Sequence, residues 1–216
     1  IGELRIGVIP TISPYLLPRF SGNFRRKYPK VELKVTEMVT ERIEQELKNN
    51  HIDIGILVTP IYNPSIFEMP VYYEEMLVYS SQNHPYNQQQ VVNVKQIKTD
   101  DIWLLTDGHC FKHQVVNLCD IDHYKNSDLP FEFEGGNLDT LIKIIDKEGG
   151  YTLIPELAMH DMTEERKKQV RHFENIVPLR EVSLVYTRKY QKSRLIEELA
   201  KEIKDSVPNE ILPNDR

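Results

Sequence analysis

The sequence predicts an α/β protein built from two Rossmann-like, doubly wound lobes joined by two crossover segments. Three observations carry that expectation. Residues 4–58 alternate strand-like and helix-like runs, and residues 75–156 repeat the alternation. A last strand-like run and a strongly helical run follow the second set and return to the first. Strands alternating with helices imply a parallel sheet covered on both faces. Lobe I is expected at about 1–74 with 180–216, and lobe II at about 75–179, with crossovers near 74–78 and 174–180. A cleft between two such lobes is a common place for a small ligand.

Each element has its own signal. LRIGVIP (4–10) reads as the first strand. Leu16, Leu17, Phe20 and Phe24 recur at three- and four-residue steps, so residues 13–28 form a helix with one apolar face. Tyr28-Pro29 ends it, because a residue before proline avoids the helical region. VELKVTEM (31–38) alternates as a half-buried strand does. Thr40 is placed to cap a short helix carrying Ile43 and Leu47. IDIGILV (52–58) is near-continuously apolar, as a strand buried on both faces is. In the second set, EMLVYSS (75–81), DIWLLTD (101–107), FEFEG (131–135) and YTLIPE (151–156) read as strands. A helix from Asn137 or Gly136 to Gly149-Gly150 and another within 108–119 lie between them. VSLVYT (182–187) is the returning strand, and Leu195, Leu199, Ile203 and Val207 mark the helix over 193–207.

Composition narrows the function classes. The chain has 216 residues, 40% of them hydrophobic, and a net charge of -6. Nucleic-acid binding draws its affinity from Lys and Arg contacts to phosphates, so this acidic chain is a poor candidate for binding DNA by itself. The densest basic stretch, EERKKQVRH (164–172), contains two glutamates and reads as a solvated surface segment. No run of ~18 apolar residues is present to span a membrane. With no signal segment at the start and only two cysteines, a reducing cytoplasm is the expected compartment.

Those two cysteines lie in DGHCFKHQVVNLC (107–119), with Cys110 flanked by His109, Lys112 and His113. As core residues, both would act as small hydrophobes. As ligands, His109, Cys110, His113, Cys119 and His123 can be written as a zinc set, but Cys110 and Cys119 oppose each other on one helix and do not converge. As a reactive pair, Cys110 at a helix start beside cations is the better nucleophile, since each of those features lowers a thiol pKa. Cys119 lies beside Asp120 and Asp122, which raise its pKa.

GELRIGVIPTISPYLLPRF, HIDIGIL, EMLVYSS followed by HP, and GGYTLIPE together resemble the regulatory domain of LysR-type transcriptional regulators. The resemblance runs from about residue 2 to about 205, and its fold is that of the periplasmic binding proteins. Gly108, His109, Cys110, Lys112, Gln114 and Cys119 are similar to the redox segment of the hydrogen-peroxide-sensing members of that family. The departures are Lys112 where arginine is common, His113 where an acid is common, and Glu41 where histidine commonly follows the second pocket threonine.

The resemblance implies a function in transcription regulation under oxidative stress, and no enzyme turnover. Cys110 would react with hydrogen peroxide and Cys119 would resolve the product as a disulfide. Thr11, Thr40 and Arg180 would form the peroxide pocket, while His109, Lys112, His113 and Gln114 tune the thiolate. Thr11 and Thr40 can equally cap the helices that follow them, and Arg180 can be a surface or subunit-contact residue. The implied partners are a glutaredoxin- or thioredoxin-type reductant, a second copy of the domain and, through the full-length bacterial protein, a tetramer, promoter DNA and RNA polymerase. The winged helix-turn-helix of such regulators is expected to precede this chain. No cofactor, metal or membrane partner is implied. The competing reading is a LysR-type or solute-binding domain for a small organic effector.

The cysteine spacing has a mechanical meaning. On a helix, nine residues place the two side chains on opposite faces, about 13 Å apart along the axis. A disulfide needs Cα atoms about 4.4–6.8 Å apart. Helix and bond therefore exclude each other, and oxidation would unwind residues 110–119.

Overall fold

The computed structural model describes residues 2–98, 100–105, 129–187 and 193–211. The chain divides into two compact units, Ile1–Glu74 with Arg180–Arg216, and Glu75–Leu179.

In unit 1, β1 (Gly2–Val8) lies between β2 (Val31–Glu37) and β3 (Ile54–Thr59) and runs parallel to both. β3 is buried at all six positions, as its near-continuous apolar sequence requires. The sheet is mixed rather than parallel throughout. β8 (Leu179–Thr187) runs antiparallel to β3, with Leu57 opposite Ser183. It arrives from the second half of the chain, without the covering crossover helix that a parallel neighbour needs. β4 (Ile66–Ser80) follows β8 in the strand order.

Two glycines let this sheet accept its helices. A Cβ on Gly55 would stand 2.4 Å from Ile43 Cγ2 and 2.7 Å from Val185 Cγ2, and one on Gly7 would stand 2.9 Å from Ile52. Helix α1 (Ser13–Lys27) buries Leu16, Phe20 and Phe24. It packs on the last helix, α6 (Ser193–Ser206), where Lys27 pairs with Glu202. The buried stripe of α6 is Ile196, Leu199, Ala200 and Ile203, and Val207 lies beyond the helix end. Helix α2 (Thr40–Lys48) buries Ile43 and Leu47.

In unit 2, the second half of β4 pairs antiparallel with β6 (Tyr151–Pro155) and with β7 (Val170–Phe173), and β7 pairs parallel with the short β5 (Val91–Val92). α3 (Leu138–Glu148) starts at Asn137, whose side chain accepts from the Thr140 N–H, and it buries Leu138, Leu141, Ile142 and Ile145. It stops at Gly149 and Gly150, both at positive φ. Gly150 also admits no side chain, because a Cβ there would stand 2.5 Å from the Asp101 carbonyl and 2.7 Å from the Trp103 ring. α4 (Glu156–His160) and α5 (Glu164–Lys167) follow, and the EERKKQVRH segment is solvated, with exposed Lys167–Glu164 and Lys168–Glu165 pairs.

Two expected strands are not strands. FEFEG (131–135) has no ladder, and Phe131 is exposed apart from its contact with Trp103. In DIWLLTD, Ile102 makes one bridge to Tyr151, and Trp103, Leu104 and Leu105 are buried without forming a strand. Apolar runs report burial, and a strand needs a partner edge as well. The last two residues of that run, and the expected helix over 108–119, lie outside the described residues.

Candidate functional site

Thr11 and Thr40 occupy equivalent places. β1 ends at Val8 and β2 at Glu37, partners in the parallel register, and each threonine stands three residues beyond its strand end. Both therefore lie at the carboxyl edge of the parallel strands, where open α/β sheets place ligands. Thr11 is 1% exposed and Thr40 7%. Neither is a helix cap. The residue before α1 is Ile12 and the residue before α2 is Val39, and neither helix has a side-chain cap.

Arg180 is 1% exposed, so it is no surface residue. The start of β8 carries it inward, and three hydrogen bonds fix its guanidinium. Nε donates to Glu74 Oε1 at 2.6 Å, Nη1 to Thr11 Oγ1 at 3.0 Å, and Nη2 to the Thr11 carbonyl at 3.1 Å. Glu74, on β4, is 0% exposed. Charged groups this deep persist only when paired and hydrogen-bonded, and this pair is both. The fork geometry explains the choice of arginine, since a lysine offers no planar set of donors to a carboxylate, a hydroxyl and a carbonyl at once.

The other face of the same strands holds a second polar set. Tyr73 Oη donates to Glu181 Oε2 at 2.6 Å, and Thr59 Oγ1 bonds both Glu181 and Ser183. In unit 2, the Glu75 N–H donates to Glu156 Oε1 at 2.9 Å, and Glu75 Oε1 contacts His172 Nδ1 at 2.9 Å. His84 contacts Asp101 at 2.7 Å and accepts from the Tyr86 N–H through Nδ1, which places the ring proton on Nε2 toward Asp101.

Of the residues singled out from the sequence, Thr11 and Arg180 are in direct contact and Thr40 stands on the same sheet edge. Cys110, Cys119, His109, Lys112, His113 and Gln114 lie outside the described residues, as does His123 of the zinc alternative. Among the described residues, no group of three or more His, Cys, Asp or Glu is arranged to hold a metal ion, and no helix is long and apolar enough to cross a membrane. Sequence reading missed Glu74. Its signal was there: two adjacent acids interrupt the apolar run VYYEEMLVYS, and buried acids imply buried partners.

The LysR substrate binding domain model matches residues 1–208. The hydrogen peroxide-inducible genes activator of Haemophilus influenzae is 29% identical over 208 residues, covering 95% of this chain and 67% of that protein. The DNA-binding transcriptional dual regulator OxyR of Escherichia coli K12 is 29% identical over 187 residues, 86% of this chain and 60% of that protein. The chain thus spans between about half and two thirds of the length of the first such relatives. The crystal structure of OxyR from Porphyromonas gingivalis superposes with a TM-score of 0.88 at 31% identity, over 98% of this chain and 95% of that one. The reduced OxyR regulatory domain from Pseudomonas aeruginosa gives 0.82 at 25% identity, over 94% and 97%. The chain belongs to the LysR substrate-binding-domain family, and its fold is similar to that of the OxyR regulatory domains.

Proposed function

We propose that this chain is the sensing domain of a peroxide-responsive transcription regulator, switched by a reversible disulfide between Cys110 and Cys119. The stretch DGHCFKHQVVNLC carries this reading: within a chain of this family, the cysteine of a Gly-His-Cys triplet, Cys110, stands nine residues before the second cysteine, Cys119. The Cys110 thiolate attacks one oxygen of hydrogen peroxide and the O–O bond breaks. Sulfenic acid forms, and the departing hydroxide takes a proton from solvent to become water. The Cys119 thiol then attacks the sulfenic sulfur, forms the S–S bond and releases a second water. Two thiols and one peroxide give one disulfide and two waters.

Thr11, Thr40 and Arg180 hold and polarise the peroxide, and the rigid Arg180–Thr11 contact supports that role. His109, Lys112, His113 and Gln114 favour the thiolate. Because helix and disulfide exclude each other over nine residues, bond formation refolds residues 110–119 and the chemical event becomes a change of shape. A dithiol reductant of the glutaredoxin or thioredoxin class reverses it, so peroxide is consumed stoichiometrically and the domain is no turnover enzyme. The readout passes through a second copy of the domain, promoter DNA and RNA polymerase, in the cytoplasm and through the full-length protein.

The test is one equivalent of hydrogen peroxide added to the reduced protein, followed by peptide mass spectrometry. A Cys110–Cys119 cross-link within seconds, absent in Cys110→Ser, is expected. Two free thiols after minutes overturn the proposal and favour a small organic effector.

A further inference from the structure

Unit 1 holds a cavity that the site described so far does not use. Its volume is about 760 Å³, and it runs along one side of α2, facing the turn before β4. Small-ligand pockets commonly measure about 300–1,000 Å³. Glu41, Glu44 and Lys48, at steps of three and four, put one side of the helix into the wall. Leu47, Pro64 and Ile66 supply apolar surface.

The wall from Asn63 to Ile66 is held in place by its own bonds. Asn63 Oδ1 accepts from the Ser65 N–H at 3.1 Å and from Ser65 Oγ at 2.7 Å, and the Ile66 N–H donates to the Asn63 carbonyl at 3.1 Å. Asn63 Nδ2 donates to Glu44 Oε1 at 3.0 Å and so ties this wall to α2. A site with fixed walls loses little freedom on binding.

The charges form an open pair. Glu44 and Lys48 stand four residues apart on α2, in the order that best favours an ion pair on a helix surface. They do not bond each other. Glu44 turns to Asn63, which leaves its Oε2 open among the described residues, and Lys48 has no partner among them. An anion, a cation and apolar surface in one cavity match a ligand with the charges reversed. That ligand has an ammonium for Glu44, a carboxylate for Lys48 and an apolar body. Four residues rise about 6 Å along a helix axis. The ammonium and carboxylate of a single amino acid share one carbon, whereas two extended residues span about 7 Å.

We propose that this cavity binds a short apolar peptide, its ammonium on Glu44, its carboxylate on Lys48 and its side chains on Leu47, Pro64 and Ile66. The site lies within unit 1 and is independent of the peroxide reading.

The test is calorimetric titration of the reduced chain with leucyl-leucine. Two blocked peptides serve as controls: N-acetyl-leucyl-leucine lacks the ammonium, and leucyl-leucinamide lacks the carboxylate. The free dipeptide is expected to bind with a Kd of about 1 mM or tighter. Glu44→Gln and Lys48→Met are each expected to weaken it by about fivefold, the upper range for an exposed ion pair. Glutamine keeps an oxygen for Asn63, so the wall stays tied. The acetylated peptide is expected to bind wild type and Glu44→Gln alike, and the amide to bind wild type and Lys48→Met alike. No binding at about 10 mM dipeptide would overturn the proposal. Binding that neither variant weakens would also overturn it, by seating the peptide elsewhere on the chain. Blocked peptides weakened as much as the free one would do the same, as a general effect on the wall rather than a matched charge.

Discussion

At Arg180, one side chain decides how much of unit 1 stays ordered around residue 11. Its guanidinium joins Glu74 to both the backbone and side chain of Thr11, with no solvent to replace a lost partner. Glu74→Ala leaves a buried, uncompensated cation and is expected to lower stability by about 3–5 kcal/mol, read from the urea midpoint. The double change Glu74→Leu with Arg180→Met is expected to lose much less, because no charge stays stranded. A double variant as unstable as the single one would show that the contacts to Thr11, rather than the ion pair, hold this region. Arg180 and Thr11 were legible in the sequence only through family resemblance. Glu74 was legible from chemistry, as an acid inside an apolar strand, but its partner lies 106 residues away and no local pattern names it.

Among the elements, periodicity spoke where a segment has one buried face. α1, α3 and α6 carry their apolar residues at helical steps, and β3 is apolar from Ile54 to Val58. FEFEG has the alternation of a strand but forms no ladder among the described residues, and the apolar residues of DIWLLTD are buried without a ladder. The Asn137 cap was readable because its chemistry is local. Asn137→Ala is expected to cost about 1 kcal/mol, and Asn137→Gly only a few tenths, both read by denaturant unfolding. Gly150→Ala combines a left-handed backbone with a collision against the Asp101 carbonyl, and should destabilise by more than ~1 kcal/mol. A neutral Gly150→Ala would mean that the turn after α3 relaxes freely.

Across the whole molecule, each unit holds a tyrosine whose pKa is pushed up. Burial is the first cause at both Tyr72 and Tyr79. Glu74 adds to it at Tyr72, and the hydrogen bond to Asp146 adds to it at Tyr79. An unfolded tyrosine ionises near pH ~10. Since the folded values lie higher, the stability these groups contribute is fully present below about pH 10. It is lost as the pH rises beyond that, because the unfolded chain gives up the protons first. Thermal melts from pH 8 to 11 are expected to be flat and then to fall, and Tyr72→Phe with Tyr79→Phe to flatten the fall. An alkaline limb unchanged in the double variant would assign it to other groups. The alternation of strands and helices in unit 1 was legible in the order of elements. The mixed sheet was not, since strand direction depends on which edge the returning chain meets, and β8 meets β3 from the far half of the sequence.

The division of the chain also sets an order of birth. Unit 2 is one uninterrupted stretch, Glu75–Leu179, whereas unit 1 needs both Ile1–Glu74 and the segment that begins at Arg180. On a ribosome, the first 74 residues emerge with the β8 edge of β3 unpaired, no α6 beneath α1 and no guanidinium for Glu74. Unit 2 is complete in sequence before any of these arrives. The nascent β3 edge and the bare apolar face of α1 are thus surfaces in need of protection during synthesis, and β8 and α6, made only after unit 2, are the elements that relieve it.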